Sequence, residues 1–332
     1  MKRKPYVSIL TPCYNSQEYI QRYLDCILGQ TCSDIEIVII NDGSTDKTEE
    51  IIFSNRDRLE QKGIKLVYLK KENGGLGSAI NIGLKHMTGD FFCWCDSDNF
   101  YSDNYIQSHI NYFVKNKKCN VLRCDGYLIT DDDIEKAHEG GKEFPKFSGH
   151  NTNVYDKYLF VNAILEINFH FGCAMIRTSA FDKVVKGRNI YESRVGQNWQ
   201  ILLPVFYANK SYYIDEPMFY FVSRKDSISG QYVNNNPRKM YELYEEHEKI
   251  LSKVINAMEI EDEGYYLKLI KQKYIIRNWE YAKIIDDHVG TDSFERQYKE
   301  KVLTDNIFDE ECKRVLNKGL KTARRFNCFK RR

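Results

Sequence analysis

The sequence lacks a long apolar segment, a large excess of one charge and an N-terminal secretory signal. Its longest apolar run is far shorter than the about 20 residues that a membrane-spanning helix needs, and the basic start MKRKPYVSIL contains no extended hydrophobic stretch. Lysine and arginine number 49 against 47 acidic residues, and the net charge of +2 gives no indication of nucleic-acid binding. We therefore expect neither a membrane-spanning helix nor a nucleic-acid partner.

The ten cysteines lack the regular spacing of a disulfide framework or a zinc site. Cys93 and Cys95 alternate with Trp94 inside an apolar run, a pattern typical of a buried strand. Cysteines that stay reduced indicate a reducing compartment. The sequence therefore predicts a cytoplasmic protein.

Charge is unevenly distributed along the chain. Residues 313–332 contain nine lysines and arginines and no acidic residue, which leaves a net charge of −7 on the other 312 residues. In a helical tail, one face would carry the apolar residues Leu316, Leu320, Ala323, Phe326 and Phe329. A basic amphipathic helix binds anionic lipid, so we expect peripheral binding at the inner face of the cell membrane. The alternative is a solvated basic terminus.

Between residues 6 and 99, apolar runs alternate with segments of helical periodicity. The runs typical of buried strands are 6–10, 35–40, 65–69 and 90–95, and the helical segments are 17–29, 48–59 and 78–85. This alternation predicts an α/β fold, with a doubly wound, mostly parallel sheet flanked by helices.

The pattern loosens after residue 100. Strands are predicted at 121–129, 171–176 and 212–222, a helix within 189–207, and a polar, glycine-containing loop over 131–152. Beyond Asn236-Pro237 the apolar residues follow a helical period. We therefore expect an α/β domain over residues 1–230 and a smaller helical C-terminal region with a basic tail over 231–332.

Each of the first four predicted strands ends in polar residues. In doubly wound sheets, ligands bind beyond the carboxyl ends of the strands, so these clusters predict a single site. The clusters comprise residues 11–15, 41–42, 73–74 and 96–98.

Asp96 and Asp98, separated by Ser97, follow the fourth strand. Two carboxylates at a strand end can hold a divalent ion against a diphosphate, because Mg²⁺ and Mn²⁺ prefer hard oxygen ligands. Such an ion neutralises the charge that develops on a nucleoside-diphosphate leaving group. The alternative is a solvated turn, since Asp and Ser are common turn residues.

Four sequence blocks resemble, in order and approximate spacing, those of the family 2 glycosyltransferases of bacterial polysaccharide biosynthesis: SILTPCYN, VIINDGSTDKT, KENGGLGSAINIGLKHMTGD and FFCWCDSDN. The resemblance is close over residues 6–99 and extends to about residue 225. It implies a GT-A fold and metal-assisted transfer of a sugar from a nucleotide-sugar donor, commonly UDP-linked. It also implies inversion at the anomeric carbon and a glycan or lipid-linked acceptor.

The resemblance carries roles onto individual residues. Thr11, Pro12 and Tyr14 match the block that packs against the nucleotide base. Asp42 matches the acid that reads the edge of the base, commonly uracil.

Other roles concern the nucleotide turn and the metal. Asn73 and Gly74 match the turn beside the nucleotide. Asp96 matches the acid near the ribose and the metal, and Asp98 matches the metal ligand.

The chain departs from the family pattern in three places. Ile80 stands where the family often has Arg, and Asn99 where a second Asp often follows the metal ligand. Before Trp199 the family usually has Glu-Asp, with the Asp as general base, whereas this chain has Gln197 and Asn198.

Three explanations for the missing base remain open. Glu192, six residues before Asn198, could act as the base, with Asn198 positioning the acceptor. The acceptor could instead be already anionic, such as a phosphate, or the protein could be inactive.

Two other classes of protein share some of these features. A nucleotidyltransferase also binds metal beneath a nucleotide, but it would be expected to carry a glycine-rich loop with Lys or Arg after its first strand, and TPCYNSQEY has neither feature. A catalytically silent binder of nucleotides or sugars would fit the missing base.

Overall fold

The computed structural model describes residues 6–139, 144–147, 159–166, 171–224 and 237–303. These residues group into two compact units. The first unit contains residues 6–139, 144–147 and 171–224, and the second contains residues 159–166 and 237–303. The boundary expected near residue 230 and the basic tail over 313–332 lie outside the described residues.

An eight-stranded sheet forms the first unit, in the order β3-β2-β1-β4-β7-β6-β8-β5. β1 pairs in parallel with β2 and β4, β2 with β3, and β6 with β8, whereas β7 and β5 run antiparallel to their neighbours. The strands are β1 (Val7–Cys13), β2 (Ile35–Asn41), β3 (Lys65–Lys70), β4 (Phe91–Trp94), β5 (Phe100–Tyr101), β6 (Val121–Thr130), β7 (Ala174–Arg177) and β8 (Ser211–Ser223).

The helices of this unit follow the strands along the chain. They are α1 (Ile20–Gly29), α2 (Thr48–Ser54), α3 (Arg56–Gln61), α4 (Leu76–His86), α5 (Tyr105–Lys115), α6 (Ile134–Glu139), α8 (Thr178–Val184) and α9 (Gln197–Ala208). The predicted mostly parallel sheet with flanking helices is confirmed.

The central strands β1, β2 and β4 are buried at every residue. Parallel strands covered on both faces need apolar side chains in both directions, which explains the continuous apolar runs in the sequence. The eight cysteines in the described ranges are all buried and none forms a disulfide.

Three predicted segments differ from the structure. The strand predicted over 171–176 begins as a 3-10 helix, Phe171–Cys173, and only then continues as β7. The helix predicted over 48–59 is divided at Asn55, whose Nδ2 donates to the Ile51 carbonyl at 2.9 Å and so competes with the helical backbone. The loop predicted over 131–152 begins with a short 3-10 helix, Asp131–Asp133, and with α6.

The second unit is helical in its described residues. It contains α7 (Leu159–Leu165), α10 (Pro237–Met258), α11 (Glu263–Ile284) and α12 (His288–Tyr298). Glu166, which follows α7, forms ion pairs with Lys273, at 3.3 Å, and with Arg277, both on α11. Burial alone would raise the pKa of Glu166, but these two cations lower it to about 2. No helix in the described ranges is both long and apolar enough to cross a bilayer.

Candidate active site

The polar residues after β1, β2 and β4 lie side by side at one edge of the sheet. Backbone pairing continues up to them, with Asp42 N donating to Cys13 O at 2.9 Å and Cys95 N donating to Leu10 O at 3.1 Å. Parallel pairing produces this arrangement, because the carboxyl ends of parallel strands meet at the same edge.

The block expected against a nucleotide base is divided between strand and loop. Thr11 and Pro12 lie inside β1 and are buried, and the Thr11 hydroxyl hydrogen-bonds the hydroxyl of Tyr23. Tyr14 lies beyond the strand with 52% of its surface exposed. Of the three residues, Tyr14 is the one that offers an exposed ring at the strand end.

Asp42 is buried and held from several sides. Its Oδ1 accepts from Lys71 Nζ at 2.6 Å and from Gly74 N at 3.0 Å, and its Oδ2 accepts from Gly75 N at 2.8 Å. A carboxylate offers about four acceptor positions, so a further donor such as a base N–H can still bind. Lys71 could not be predicted as a partner of Asp42, because nothing in the KENGG block distinguishes it from a surface lysine.

Glycines allow the turn after β3 to approach residues 191–194 closely. Gly75 has a φ of +88°, and a Cβ at Gly77 would lie 2.5 Å from the Ser193 carbonyl oxygen, which accepts from Gly77 N at 2.8 Å. Arg194 Nη1 donates to Asn73 Oδ1 at 3.4 Å. The predicted residues Asn73 and Gly74 therefore belong to a turn that is fixed by a distant loop.

Asp96 and Asp98 follow β4 and each has a buried Oδ1 that accepts no hydrogen bond from the described residues. Asp98 Oδ2 accepts from Arg224 Nη2 at 2.6 Å. Burial, and then the neighbouring Asp98 charge, raise the pKa of Asp96 to about 7. Each residue therefore presents one desolvated Oδ1 without a hydrogen-bond donor among the described residues, although Asp98 is paired with Arg224 through Oδ2.

This donor set fits a hard divalent cation. Mg²⁺ and Mn²⁺ bind carboxylate oxygens, commonly through one or two protein carboxylates, with water and phosphate oxygens as the other ligands. The described residues contain no group of three or more His, Cys, Asp and Glu side chains that could hold a metal. A pair of carboxylates matches an ion that takes its remaining ligands from water and phosphate oxygens.

Two arginines that the sequence analysis did not single out approach the carboxylate pair. Arg22 Nη2, from α1, donates to the backbone carbonyl of Asp98 at 2.5 Å. Arg224, at the end of β8, pairs with the Asp98 carboxylate and lies over the ring of Tyr19, with 3.8 Å between guanidinium carbon and ring centroid. Both residues are far from Asp98 in sequence, so no local pattern could reveal them.

Asn198 lies in the first turn of α9 and is tied to the end of β4. Its Oδ1 accepts from Trp94 Nε1 at 2.8 Å. The indole N–H is only a donor, so this bond fixes the amide orientation and leaves the Asn198 NH₂ group directed elsewhere.

Glu192 lies exposed on the loop before α9. Its Oε1 accepts from Asn81 Nδ2 at 3.3 Å, and Asn81 Oδ1 accepts from Ile190 N at 3.0 Å. Asn81, which follows Ile80 on α4, thus positions the segment that carries Glu192.

Comparison with known proteins identifies the family. The sequence profile described as "Glycosyl transferase family 2" matches residues 8–185, more than half of the 332 residues. The chain belongs to glycosyl transferase family 2. The predicted family is thereby confirmed.

Several family members resemble part of the chain. A glycosyltransferase of Rickettsia typhi is 42% identical over 134 residues, which are 40% of this chain and 39% of the relative. The glycosyltransferase GlyA of Streptococcus pneumoniae is 27% identical over 67% of this chain and 31% of its own length. The hyaluronan synthase of Pasteurella multocida is 33% identical over 45% of this chain and 15% of its own. The chain thus spans about two fifths of the length of the Rickettsia relative, and less of the others.

Solved structures share the GT-A fold. Residues 1–349 of Staphylococcus aureus TarS, in complex with UDP, match 81% of this chain and 72% of that chain at 18% identity, with a TM-score of 0.57. The mannosyltransferase PcManGT of Pyrobaculum calidifontis, in complex with GDP-Man and Mn²⁺, matches 96% of this chain and 85% of that chain at 12% identity, with a TM-score of 0.52. The expected GT-A fold is confirmed.

Proposed function

We propose that this family 2 protein transfers a hexosyl or N-acetylhexosaminyl group from a UDP-sugar to a glycan or lipid-linked acceptor, with inversion and with help from Mn²⁺ or Mg²⁺. The observation that carries the proposal is the pair Asp96 and Asp98. Their Oδ1 atoms, buried and without a hydrogen bond from the described residues, lie just after β4, at the edge of the sheet where Asp42 follows β2. A nucleoside diphosphate with a bound cation would offer the positive charge that Asp96 and Asp98 can bind and the base that Asp42 can contact.

The donor is held by residues at three strand ends. Asp42 accepts a hydrogen bond from the N–H at the edge of the base, and the exposed ring of Tyr14 packs against the base. Asn73 and Gly74 form the turn beside the nucleotide, with Thr11 and Pro12 supporting Tyr14 from within β1. UDP in the TarS complex supports a uridine donor for a chain of this fold.

Asp98 and Asp96 would hold the divalent ion through their free oxygens. When bound, the ion offsets the negative charge that grows on the diphosphate as it leaves. PcManGT, with GDP-Man and Mn²⁺, is a precedent for this combination on the same fold.

Inversion requires one displacement at the anomeric carbon, with the acceptor on the face opposite the diphosphate. We assign Glu192 as the base that takes the acceptor proton, because it lies on the loop just before α9. The NH₂ group of Asn198, oriented through Trp94, donates to the acceptor and positions it.

A catalytically silent binder is the second candidate, because an amide at Asn198 cannot take a proton. The test is a panel of nucleotide sugars with Mn²⁺, scored by thermal shift and by release of nucleoside diphosphate. A donor at 100 times its dissociation constant adds about 2.7 kcal/mol of stability. Thermal stabilisation together with release of nucleoside diphosphate confirms the transferase. Stabilisation without release, whatever acceptor is added, supports the silent binder. The absence of both responses contradicts both candidates.

A further inference from the structure

Arg224 places a fixed positive charge at the carboxylate pair. Its side chain is 11% exposed, and Nη2 lies 2.6 Å from Asp98 Oδ2. The guanidinium also packs over the ring of Tyr19 at 3.8 Å, which combines an ion pair with a cation–π contact. The protein thus holds this arginine by two contacts, one carboxylate oxygen and one aromatic ring.

The ion pair leaves the two aspartates partly satisfied. Arg224 neutralises Asp98 through Oδ2, whereas Oδ1 of Asp98 and Oδ1 of Asp96 accept no hydrogen bond from the described residues. A divalent cation at these oxygens would lie within a few ångströms of the guanidinium, and like charges at that distance repel. Arg224 and a metal ion therefore compete for Asp98.

A diphosphate reverses this balance. Phosphate oxygens accept two parallel hydrogen bonds from a guanidinium, so a diphosphate beside the metal offers Arg224 a partner as strong as Asp98. In the complex the guanidinium would turn from Asp98 toward the phosphates. Metal binding and diphosphate binding would then favour each other. The diphosphate draws the guanidinium away from the metal, and the metal replaces Arg224 as the partner of Asp98.

We propose that Arg224 is the cation that pairs with Asp98 before substrate binds, and that it releases Asp98 and pairs with the diphosphate when a metal ion and a nucleoside diphosphate enter. This proposal rests on the proposed function. It predicts opposite effects of removing the guanidinium: a metal ion alone should bind more tightly, and the nucleotide with metal should bind more weakly.

The experiment measures Mn²⁺ binding by electron paramagnetic resonance without nucleotide, and UDP binding by calorimetry at saturating Mn²⁺. We expect Arg224→Gln to lower the dissociation constant of Mn²⁺ about threefold, as for a partly exposed ion pair, and to raise that of UDP about tenfold, as for a charge-assisted hydrogen bond. Arg56→Gln removes the same charge from an exposed position over Phe53 and should change neither value.

A second variant guards against misfolding. Arg224→Lys keeps the charge but loses the planar fork, and it should shift both constants in the same directions by smaller factors. If wild-type protein binds UDP with Mn²⁺ but neither variant shifts the Mn²⁺ and UDP dissociation constants in opposite directions, the role of Arg224 is overturned while the proposed function stands. If wild-type protein binds UDP neither with nor without Mn²⁺, both are overturned.

Discussion

At the scale of single residues, we expect Asn198 and Glu192 to decide how the acceptor is activated. By its resemblance to the family, Asn198 stands where a general base is expected, but its amide oxygen accepts from Trp94 and its nitrogen can only donate. Glu192 is exposed and is held by Asn81. The carboxylate that could take the acceptor proton therefore lies one loop away from the expected position.

We predict that Glu192→Gln lowers kcat at least about 100-fold with the true acceptor, because a positioned base contributes that much or more. The substitution keeps the hydrogen bond from Asn81, so folding should be unchanged. Steady-state kinetics with Asn198→Asp as a comparison tests this, since Asp can still accept from Trp94. Unchanged kcat in Glu192→Gln excludes this base, and a flat pH–rate profile below neutrality would then identify an anionic acceptor.

At the scale of elements, the turn after β3 and the loop before α9 are fitted to each other by glycine. We predict that Gly77→Ala lowers the free energy of unfolding by about 1–3 kcal/mol, because its Cβ would lie 2.5 Å from Ser193 O. The matched variant Gly264→Ala, where nothing lies within 4 Å, should be neutral or slightly stabilising. Chemical denaturation measures both, and equal effects would contradict the close packing.

The central elements could be predicted because buried parallel strands are continuous apolar runs, and each ends where polar residues begin. The break between α2 and α3 depends on the side chain of Asn55, which a periodicity argument does not weigh. A signal for the helical start of the 131–152 segment was present in Thr130 and Asp133, which form a capping box.

The site could be predicted only where its residues lie at strand ends. Asp42, Asp96 and Asp98 follow apolar runs, so their proximity follows from the parallel sheet. The pairing of Asp98 with Arg224 joins residues 126 positions apart, and such long-range ion pairs leave no local pattern.

The helical unit contains a partly buried histidine that makes its stability depend on pH. Burial, despite the opposing charge of Glu166, lowers the pKa of His247 to about 4 from an ordinary 6.5, with Lys273 and Arg277 adding to the decrease. The unfolded chain therefore binds more protons between pH 6.5 and 4, and stability falls as pH decreases across this window.

We predict that wild-type protein loses about 1–3 kcal/mol more unfolding free energy between pH 6.5 and 4 than His247→Gln does. Urea denaturation at several pH values measures the difference. The variant is expected to be less stable at neutral pH, so the slope with pH is the test. Parallel curves for the two proteins would show that His247 titrates normally.

At the scale of the whole molecule, the basic tail over 313–332 stays a prediction, since it lies outside the described residues. We expect the 332-residue protein to float with liposomes containing anionic lipid, with about 1 kcal/mol of binding free energy per well-placed Lys or Arg. Deletion of 313–332 should abolish flotation, and neutral liposomes serve as the control. Unchanged flotation after the deletion would exclude the tail as the membrane-binding segment.

The central claim is that the carboxylate pair after β4 serves metal-assisted transfer from a nucleotide sugar. The most direct measurement is nucleotide-sugar turnover by wild-type protein and Asp98→Asn, each with Mn²⁺ and with excess EDTA. Asp132→Asn, an exposed acid elsewhere in the same unit, is the control. We predict that EDTA or Asp98→Asn removes at least about 99% of turnover without unfolding the domain, because metal stabilisation of the leaving group is worth several kcal/mol. Full activity in EDTA, or in Asp98→Asn, would contradict the account.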